Sequence, residues 1–481
     1  MTNKIKSFKE KVSSAKIAVL GLGISNIPLI RFLHNSGARD ITAYDKFSSP
    51  QVLANIDALK KDDMIKKAVT GDNYLENIAS EKFDIIFKSP IIRPDDVNLV
   101  KAVEGGAFLT SEMELFFELC PCKIYGVTGS DGKTTTTTLI YKLLSEHYKD
   151  LDTKVWLGGN IGRPLIDILP KIQSEDVAVL ELSSFQLLTM KKSPDISVIT
   201  NITPNHLDVH KDYDEYIEAK KNIITYQNTD GIVVLNAKND ITKRIATECI
   251  AQGKKVRLFS VYKREKAEFA EAAEGYAYMR EGVLEYISDT EKFAVERNAL
   301  RVPGLFNAEN LLTAIAACSD VILQEDIESV VAKFTGVAHR CEFVRELDGV
   351  KYYNSSIDSS PNRTINTLSV FEGNVVMIAG GKDKNIPYDD VGPAICEKVK
   401  VLILVGPTSD KIEAAVRACE DFDEEKLTIY RVNNYENAVK CAYNSAISGD
   451  YVLLSSASTS FDLFKNFEER GKTFKELVLK L

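Results

Sequence analysis

The residues between 123 and 140, KIYGVTGSDGKTTTTTLI, have the types and the order that phosphate chemistry needs. Ile124–Val127 predicts a short buried strand, Gly129–Gly132 a glycine-bearing turn, and Lys133 and Thr134 the first turn of a helix. The N–H groups of such a turn and of the helix end point at one place, where the helix dipole favours negative charge. The sequence therefore predicts a phosphate cradle, in which Lys133 neutralises the β- and γ-phosphates and the Thr134 hydroxyl holds Mg²⁺.

This stretch departs from the standard phosphate-loop pattern at one position. The pattern has a glycine five residues before the Gly132–Lys133 pair, and Val127 stands there. The alternative is a tight strand-to-helix turn that needs glycine only for its geometry. The apolar strand before the turn and the helix after it favour a nucleotide site. We assign to that site Gly129, Ser130, Asp131, Gly132, Lys133, Thr134 and Thr135.

Two neighbouring segments end in polar side chains where strands are predicted to finish. Residues 176–180 predict a buried strand, and Glu181 follows it where a nucleotide-bound Mg²⁺ needs a carboxylate partner. A second strand from Ile196 leads into a loop with His206 and Asp208. The alternatives are a solvated acid in a turn for Glu181, and a surface or packing role for His206.

A lysine lies beside the apolar side of the next predicted helix. Residues 214–226 have helical periodicity, with Tyr216 and Ile223 on the apolar side and Lys220 next to them. Either the lysine stem packs there while the ammonium reaches water, or burial lowers the pKa of the amine and makes it reactive.

The N-terminal segment has the layout of a dinucleotide fold. The strand Lys16–Leu20 leads into the glycine turn Gly21–Ser25 and a helix to about Asn35, and the next strand ends at Asp45. Asn26 stands where the pattern has its third glycine, so the fingerprint is incomplete. The fold follows from this layout, but the ligand stays open between NAD and a nucleotide diphosphate of another kind.

The rest of the chain repeats the alternation of strands and helices. Residues 260–300 predict a small β-excursion. Five strands are predicted beyond residue 337, at Val350–Asn354, Asn374–Ala379, Val401–Val405, Thr428–Val432 and Tyr451–Leu454. Two of their ends carry turns rich in hydrogen-bond donors, GGKDK from Gly380 and SSASTS from Ser455. The fold class is therefore α/β with three domains. We expect a Rossmann-like domain at 1–120, a central P-loop mononucleotide-binding domain at 121–336, and a second Rossmann-like domain at 337–481.

A helix predicted to start near Pro303 carries two amides on one face, Asn307 and Asn310. Together they could read the edge of a purine base. Capping of the helix is the alternative, and it explains Asn307 alone.

Composition excludes several classes of protein. The 481 residues carry a net charge of −9 without a basic stripe, which argues against a nucleic-acid partner. No apolar run approaches the roughly 20 residues of a membrane helix, and the N-terminus lacks an apolar signal core, so we expect a cytoplasmic protein. The eight cysteines have neither zinc-site spacing nor the density of a disulfide scaffold.

Six motifs together resemble the Mur ligases of bacterial cell-wall synthesis, in the same order and over nearly the whole chain. They are TGSDGKTT from Thr128, ELSSFQ from Glu181, NHLD from Asn205, YxxAK ending at Lys220, PGxxNxxN ending at Asn310, and His339-Arg340. The segments GNIG from Gly159 and SFDLFKNFEERG from Ser460 resemble most the family member that adds D-glutamate.

This resemblance implies a reaction and its partners. ATP phosphorylates the carboxylate of UDP-N-acetylmuramoyl-L-alanine to an acyl phosphate, and the amine of D-glutamate then displaces phosphate. It also implies two Mg²⁺ ions and a Lys220 carbamylated by CO₂. Separately, we expect a monomer, although the sequence does not fix the oligomeric state. The three domains bind the UDP-sugar, ATP and the amino acid in chain order.

The resemblance also assigns residues to roles. Lys133, His206, Lys220 and Arg340 carry the catalysis, and the metals are held by Thr134, Glu181, His206 and Lys220. Nucleotide ligands further along the chain are Asn307, Asn310, Arg340 and Asp358. Substrate ligands are Gly21, Ile24, Ser25, Asp45, Ser89, Asn160, Ser183, Lys384, Ser460 and Phe461.

The C-terminal motif departs from the family pattern. NSSIDSSP from Asn354 stands where many relatives have NDSKATN, so the acid is absent at Ser355 and one appears at Asp358. Asp358 could serve the ribose or the glutamate contact. Alternative functions are a sister Mur ligase with another amino acid, a folylpolyglutamate synthase-like ligase, and a nucleotide-switched binding protein or dehydrogenase, which leaves Glu181, His206 and Lys220 without a task.

Overall fold

The structure is a computed structural model that describes residues 3–204, 209–262, 268–383 and 386–481. The described chain divides into two compact units. One consists of residues up to 295 together with 309–327, and the other of 296–308 together with 328–481. The first unit contains two sheets and the second contains one. Within the described ranges, none of the helices combines the length and apolar character that crossing a bilayer requires.

The first sheet has five strands in the order β3-β2-β1-β4-β5, all parallel. Its central strands are buried along almost their full length, as parallel strands covered on both faces must be. Its elements are α1 (Asn3–Ser13), β1 (Lys16–Leu20), α2 (Asn26–Asn35), β2 (Asp40–Asp45), α3 (Pro50–Lys61), β3 (Lys67–Thr70), β4 (Ile85–Lys88), α4 (Val97–Glu104), β5 (Phe108–Thr110) and α5 (Glu112–Leu119).

The second sheet has nine strands in the order β14-β13-β12-β11-β10-β9-β6-β8-β7. It is parallel from β7 to β12, and β12 pairs antiparallel with β13. Its elements are β6 (Lys123–Thr128), α6 (Lys133–His147), β7 (Val155–Gly159), β8 (Val177–Glu181), α7 (Ser184–Leu187), β9 (Ile196–Ile199), α8 (Tyr213–Thr225), β10 (Ile232–Asn236), α9 (Asp240–Ala251), β11 (Lys255–Ser260), α10 (Glu268–Glu271), β12 (Gly275–Arg280), β13 (Val283–Ser288), β14 (Lys292–Glu296), α11 (Leu305–Cys318) and α12 (Gln324–Lys333), with short 3₁₀ turns at Leu165–Asp167, Leu169–Lys171 and Arg297–Ala299.

The third sheet has six strands in the order β15-β16-β20-β17-β18-β19, and only β15 runs antiparallel to its neighbour. Its elements are β15 (Glu342–Leu347), β16 (Val350–Asn354), α13 (Pro361–Leu368), β17 (Val375–Ala379), α14 (Val391–Lys398), β18 (Val399–Val405), α15 (Ser409–Arg417), β19 (Thr428–Val432), α16 (Tyr435–Ser445), β20 (Tyr451–Leu454) and α17 (Phe467–Leu479).

One apolar core joins the first two sheets. It contains Val19 of β1, Phe116 of α5, Leu165 of the first 3₁₀ turn, and Leu180 of β8, all buried. The shared core therefore packs the first two sheets against each other, and residues far apart in sequence can lie close together.

The predicted α/β class is confirmed, and the β-excursion expected at 260–300 is present as β12, β13 and β14. The division into domains at 120 and 336 stays a prediction.

Candidate active site

Two glycines give the phosphate loop its shape. Gly129 has φ +150° and Gly132, the N-cap of α6, has φ +79°. A Cβ at residue 129 would lie 1.8 Å from Thr200 Oγ1, and one at residue 132 would lie 2.5 Å from Asn310 Oδ1. The first hydrogen bond of α6 runs from the Thr136 N–H to the Gly132 carbonyl, so the amides before it point out of the helix end. The loop is thus a strained, closely covered turn at a helix N-terminus.

Two of the loop residues assigned to the nucleotide are hydrogen-bonded to the segment that follows β9. The N–H groups of Ser130 and Asp131 donate to the Asn201 backbone and side-chain oxygens, each at 2.9 Å. The Ser130 hydroxyl donates to the Thr203 carbonyl at 2.9 Å and lies 2.9 Å from the Tyr216 hydroxyl. The expectation that every loop N–H points at the phosphates is therefore wrong for residues 130 and 131. These two N–H groups shape the loop instead.

Two lysine amines meet at one carbonyl of this loop. Lys133 Nζ donates to the Gly129 and Ser130 carbonyls at 2.9 Å each, and Lys220 Nζ donates to the same Gly129 carbonyl at 2.7 Å. Because both bonds are short, the two amines lie close to each other at the helix N-terminus. The Lys133 ammonium and the N-terminus of α6 give this place a positive potential, which attracts phosphate.

Lys220 is fully buried, with 2% of its surface exposed. Its amine lies 4.6 Å from the centre of the Tyr216 ring and 3.5 Å from Thr128 Oγ1. Burial lowers the pKa of the Lys220 ammonium to about 6, and the positive charge of Lys133 acts in the same direction. The alternative in which the ammonium reaches water is wrong. At neutral pH the group is a buried neutral amine.

Glu181 presents an unused oxygen beside the loop. Its carboxylate is 2% exposed, Oε1 accepts the Asn160 amide at 2.8 Å, and Oε2 has no hydrogen-bond partner among the described residues. A Cβ at Gly159 would lie 2.1 Å from the Glu181 carbonyl, so the two strand ends are pressed together. A buried carboxylate oxygen without a donor is suited to a cation, so Glu181 fits the predicted metal-binding role.

The structure describes some of the other residues assigned to this site and not others. Thr134 and Thr135 occupy the first turn of α6, and Ser183 caps α7 by accepting the Gln186 N–H at 3.3 Å. Across residues 3–204, 209–262, 268–383 and 386–481 there is no cluster of three His, Cys, Asp or Glu that could hold a metal. His206 and Lys384 lie outside the described residues.

A cavity of about 1220 Å³ opens at the carboxyl edge of the first sheet, with Gly21, Asp45 and Ser89 in its lining. Asp45 accepts the Leu22 N–H at 2.7 Å and the Phe47 N–H at 2.9 Å, which closes the glycine turn over the strand end. The two other residues assigned here are Ile24, 82% exposed, and Ser25, the N-cap of α2.

Asn26, which replaces the third glycine of the dinucleotide pattern, has a structural role. Its buried side-chain amide donates to the Leu20 and Gly21 carbonyls at 2.9 Å each. The side chain ties helix α2 to the turn, a task for which the pattern uses close backbone packing.

In the second unit, the Asp358 carboxylate bonds Ser355, the residue that stands where relatives have an acid. Asp358 is 4% exposed, and its carboxylate accepts the Ser455 hydroxyl at 2.8 Å and also bonds Thr367 and Ser355. Burial raises the pKa of Asp358 to about 6 despite these bonds. Its assignment to the nucleotide stays a prediction, since here the carboxylate is committed to hydroxyls of its own unit.

The two donor-rich turns predicted at the ends of β17 and β20 come together. Lys382 and Thr459 form a β-bridge, and Thr408 Oγ1 lies 2.8 Å from Ser458 Oγ. Ser460 is buried beside them and Phe461 is 61% exposed.

Three residues complete the list of assigned ligands: Asn307 and Arg340 in the second unit and Asn310 in the first. Arg340 is exposed, and Asn307 is buried and donates its side-chain amide to the Pro303 carbonyl at 2.6 Å, so the choice between its two predicted roles stays open. Asn310, in the first unit, accepts the Thr136 hydroxyl at 3.1 Å and lies against the phosphate loop.

Three contributors to this site were missed from the sequence. Thr200 and Asn201 hold the loop, and the Tyr216 hydroxyl bonds Ser130 while its ring covers the Lys220 amine. Their signal was weak, because a polar pair after a strand and a tyrosine on an apolar helix face are both ordinary.

Comparison with known proteins identifies the protein family. Residues 127–318 match the Mur ligase middle domain, and residues 339–458 match the Mur ligase glutamate ligase domain. The chain belongs to the Mur ligase family, as its motifs predicted.

Full-length relatives narrow this further. A UDP-N-acetylmuramoylalanine–D-glutamate ligase of Acetivibrio thermocellus is 48% identical over 483 residues, covering 99% of each chain. The protein of the same name from Ruminiclostridium cellulolyticum is 47% identical over 480 residues, again covering 99% of each.

Solved structures agree on the fold alone. MurF of Thermotoga maritima in complex with ADP has a TM-score of 0.54 at 16% identity, covering 100% of both chains. MurF of Acinetobacter baumannii has a TM-score of 0.55 at 15% identity, covering 80% of this chain and 87% of that one.

The close approach at Gly129 gives a first prediction. We expect Gly129→Ala to lower the melting temperature and weaken ATP binding at least about 10-fold, because the new methyl group meets Thr200 and the φ value is unfavourable. Gly253→Ala is the matched control, since Gly253 also has a positive φ, +72°, with nothing within 4 Å of an added Cβ. Equal effects of both variants on ATP binding would show that the covered loop is not special.

The buried amine gives a second prediction, on stability. The pKa of Lys220 is about 10.4 in the unfolded chain. In the folded chain it is about 6. The unfolded state therefore holds more protons between these values, so this lysine makes stability rise with pH across that window. We expect Lys220→Met to melt at a higher temperature than the unchanged protein at pH 7 in CO₂-free buffer, with a gap that narrows toward pH 9. Lys221→Met is the control, and the same pH trend in both variants would contradict the assignment.

Proposed function

We propose that this chain joins D-glutamate to UDP-N-acetylmuramoyl-L-alanine in an ATP-dependent reaction, a step of peptidoglycan precursor synthesis. The observation that carries the proposal is the pair of relatives named for this reaction, 48% and 47% identical over 99% of each chain. The site geometry supports it. A phosphate loop, a buried lysine of lowered pKa, and a carboxylate oxygen that no described residue bonds lie at one place.

The physical problem of this reaction is repulsion between anions. The triphosphate and the alanyl carboxylate must approach each other before a phosphoryl group can pass to the carboxylate oxygen. The amides from Gly132 onward and the Lys133 ammonium counter the phosphate charge, and they are set in place before the reaction starts. The D-glutamate amine then attacks the acyl carbon, the C–O bond to phosphate breaks, and the amine loses a proton.

The metal sites belong to this proposal. Thr134 and Glu181 would hold the first Mg²⁺, and His206 and Lys220 the second. When bound, these ions polarise phosphoryl oxygens and reduce the repulsion between the reactants. Glu181 Oε2, which has no hydrogen-bond partner within the described part of the chain, supports the first of these positions.

The carbamate is the finer part of the proposal. CO₂ adds only to a neutral amine, and the burial of Lys220 supplies one at neutral pH. The product is a carboxylate-like anion on a side chain that otherwise carries no negative charge. Lys220 would hold the group, on an amine that lies over the Tyr216 ring and bonds the Gly129 carbonyl.

The remaining assignments complete the picture. Residues 1–120 bind the UDP-sugar in the cavity at the first sheet, residues 121–336 bind ATP, and residues 337–481 bind D-glutamate near Ser460. We propose a cytoplasmic monomer with small-molecule partners only.

Phosphate release with UDP-N-acetylmuramoyl-L-alanine, ATP, Mg²⁺ and a panel of amino acids tests the function. We expect turnover with D-glutamate and at most traces with L-alanine or a diamino acid. Turnover with either of the latter but not with D-glutamate would reassign the chain to a sister ligase. Sedimentation of the same preparation tests the monomer.

A further inference from the structure

Arg93, just beyond the end of β4, has every one of its donors occupied by the protein. An arginine side chain offers five N–H groups. Two go to Asp95 at 2.8 and 3.0 Å, two to Glu215 at 2.8 and 3.0 Å, and one to the Val209 carbonyl at 2.8 Å. Arg93 and Asp95 both line the cavity of the first sheet. A guanidinium so committed has no N–H left for a substrate.

The partners of Arg93 belong to the second sheet and its helices. Glu215 lies in the first turn of α8, 122 residues along the chain, and it also accepts the Lys211 N–H at 2.9 Å. Val209 is the first described residue after the segment that contains His206. Arg93 therefore connects the first sheet to the first turn of α8 and to the backbone at Val209.

A buried histidine extends this arrangement toward the reaction centre. His210 Nδ1 lies 3.2 Å from Glu215 Oε2, and His210 Nε2 lies 3.0 Å from the hydroxyl of Ser184, the first residue of α7. The His210 ring stacks on Phe185 at 5.2 Å and meets the edge of Tyr216 at 5.3 Å. With Glu215 ionised, Nδ1 carries the proton and Nε2 accepts from Ser184.

The chain of contacts ends at the phosphate loop. Tyr216 bonds the Ser130 hydroxyl, and Lys220 on the same helix bonds the Gly129 carbonyl. Helix α7 begins three residues after Glu181. One arginine at the edge of the first cavity is thus connected, through Glu215 and His210, to the elements that carry Lys220 and Glu181.

We propose that Arg93, Glu215 and His210 are positioning residues for the ligase reaction, which align the Lys220 helix and the Glu181 strand end with the first-sheet cavity without contacting the substrate themselves. The inference rests on the proposed function. Because these residues align the reacting groups, their loss lowers kcat. Because Arg93 has no N–H left for substrate, the KM for the UDP-sugar stays nearly unchanged.

Steady-state kinetics on Arg93→Ala, Arg93→Lys and Glu215→Gln test this. We expect Arg93→Ala to lower kcat about 10- to 100-fold, with a change below about 3-fold in the KM for UDP-N-acetylmuramoyl-L-alanine. Arg93→Lys restores part of the rate, because it keeps the charge but cannot make both forked pairs. The double variant Arg93→Ala/Glu215→Gln is no slower than Arg93→Ala by more than about 2-fold, since both changes break one unit.

Arg431→Ala is the matched control. Arg431 also pairs with two acids, Glu413 and Asp410, but on the exposed edge of the third sheet. It should keep the rate of the unchanged protein. If Arg93→Ala does not fold, Arg93→Lys and Glu215→Gln carry the same comparison of kcat with KM.

The outcomes separate cleanly. A large rise in the KM for the UDP-sugar at normal kcat would make Arg93 a substrate ligand and overturn the proposal. Normal kinetics of every Arg93 and Glu215 variant, with an active unchanged protein, would overturn this inference alone. An unchanged protein without turnover on any acceptor would remove the proposed function, and this inference with it.

Discussion

Lys133→Ala should lose about 10³-fold in kcat, the largest single effect that we expect in the phosphate loop. Lys133 supplies the one side-chain cation in the first turn of α6, and its amine already lies against the loop carbonyls, so little reorganisation is needed when phosphates arrive. Without it, the helix amides alone must balance the triphosphate. Phosphate release under saturating substrates measures the loss, and isothermal titration measures the accompanying loss of ATP affinity.

Lys142→Ala is the control for this substitution. Lys142 lies nine residues later on the same helix, with its side chain exposed. The substitution Lys142→Ala removes the same charge at a distance from the loop. An ordinary rate in Lys133→Ala, or an equal loss in both variants, would refute the assignment of ATP to this loop.

Lys220→Ala should be nearly inactive, and short carboxylic acids such as acetate or formate should restore part of the rate. The substitution removes the amine that would carry the proposed carbamate and leaves space beside Gly129 and Tyr216, where a small carboxylate would supply the same charge. Rescue should rise with acid concentration and saturate. We measure it by phosphate release in buffers matched for ionic strength.

The neighbouring lysine provides the comparison. Lys221 is partly exposed and pairs with Glu248 at 2.7 Å, so Lys221→Ala should keep its rate and gain nothing from added acids. Intact mass spectrometry of the unchanged protein under ¹³CO₂, with trapping of the carbamate, should locate the label at residue 220. Full activity in CO₂-depleted buffer would contradict the carbamate.

Much of the fold was accessible from sequence because buried parallel strands appear as short, almost continuous apolar runs. The strands Val350–Asn354 and Tyr451–Leu454 have the predicted limits, and β2 ends at Asp45 as predicted. Others differ by one or two residues at their ends, such as Val399–Val405, where a polar lysine interrupts the run and obscures the start. The grouping of the first two sheets was not predictable, since it depends on packing of α5 against a 3₁₀ turn some fifty residues later.

The site was predicted less evenly. The glycines and Lys133 form a local motif, and the structure brings Glu181 and Lys220 to the same loop. The depth of Lys220 was beyond sequence reasoning, because helical periodicity shows which side of α8 is apolar but not that Thr128 and Gly129 lie on it. The pairing of Arg93 with Glu215 joins residues 122 positions apart and leaves no local pattern.

The filled hydrogen-bonding capacity of Arg93 has a consequence for inhibitor chemistry. An arginine on a cavity wall invites the addition of a carboxylate, tetrazole or sulfonamide to a lead compound. Here such a group would meet a guanidinium already neutralised by Asp95 and Glu215, and would be repelled by both acids. Affinity is better sought from uncharged rings against Phe47 and Ile91, the exposed apolar side chains in the lining of the same cavity.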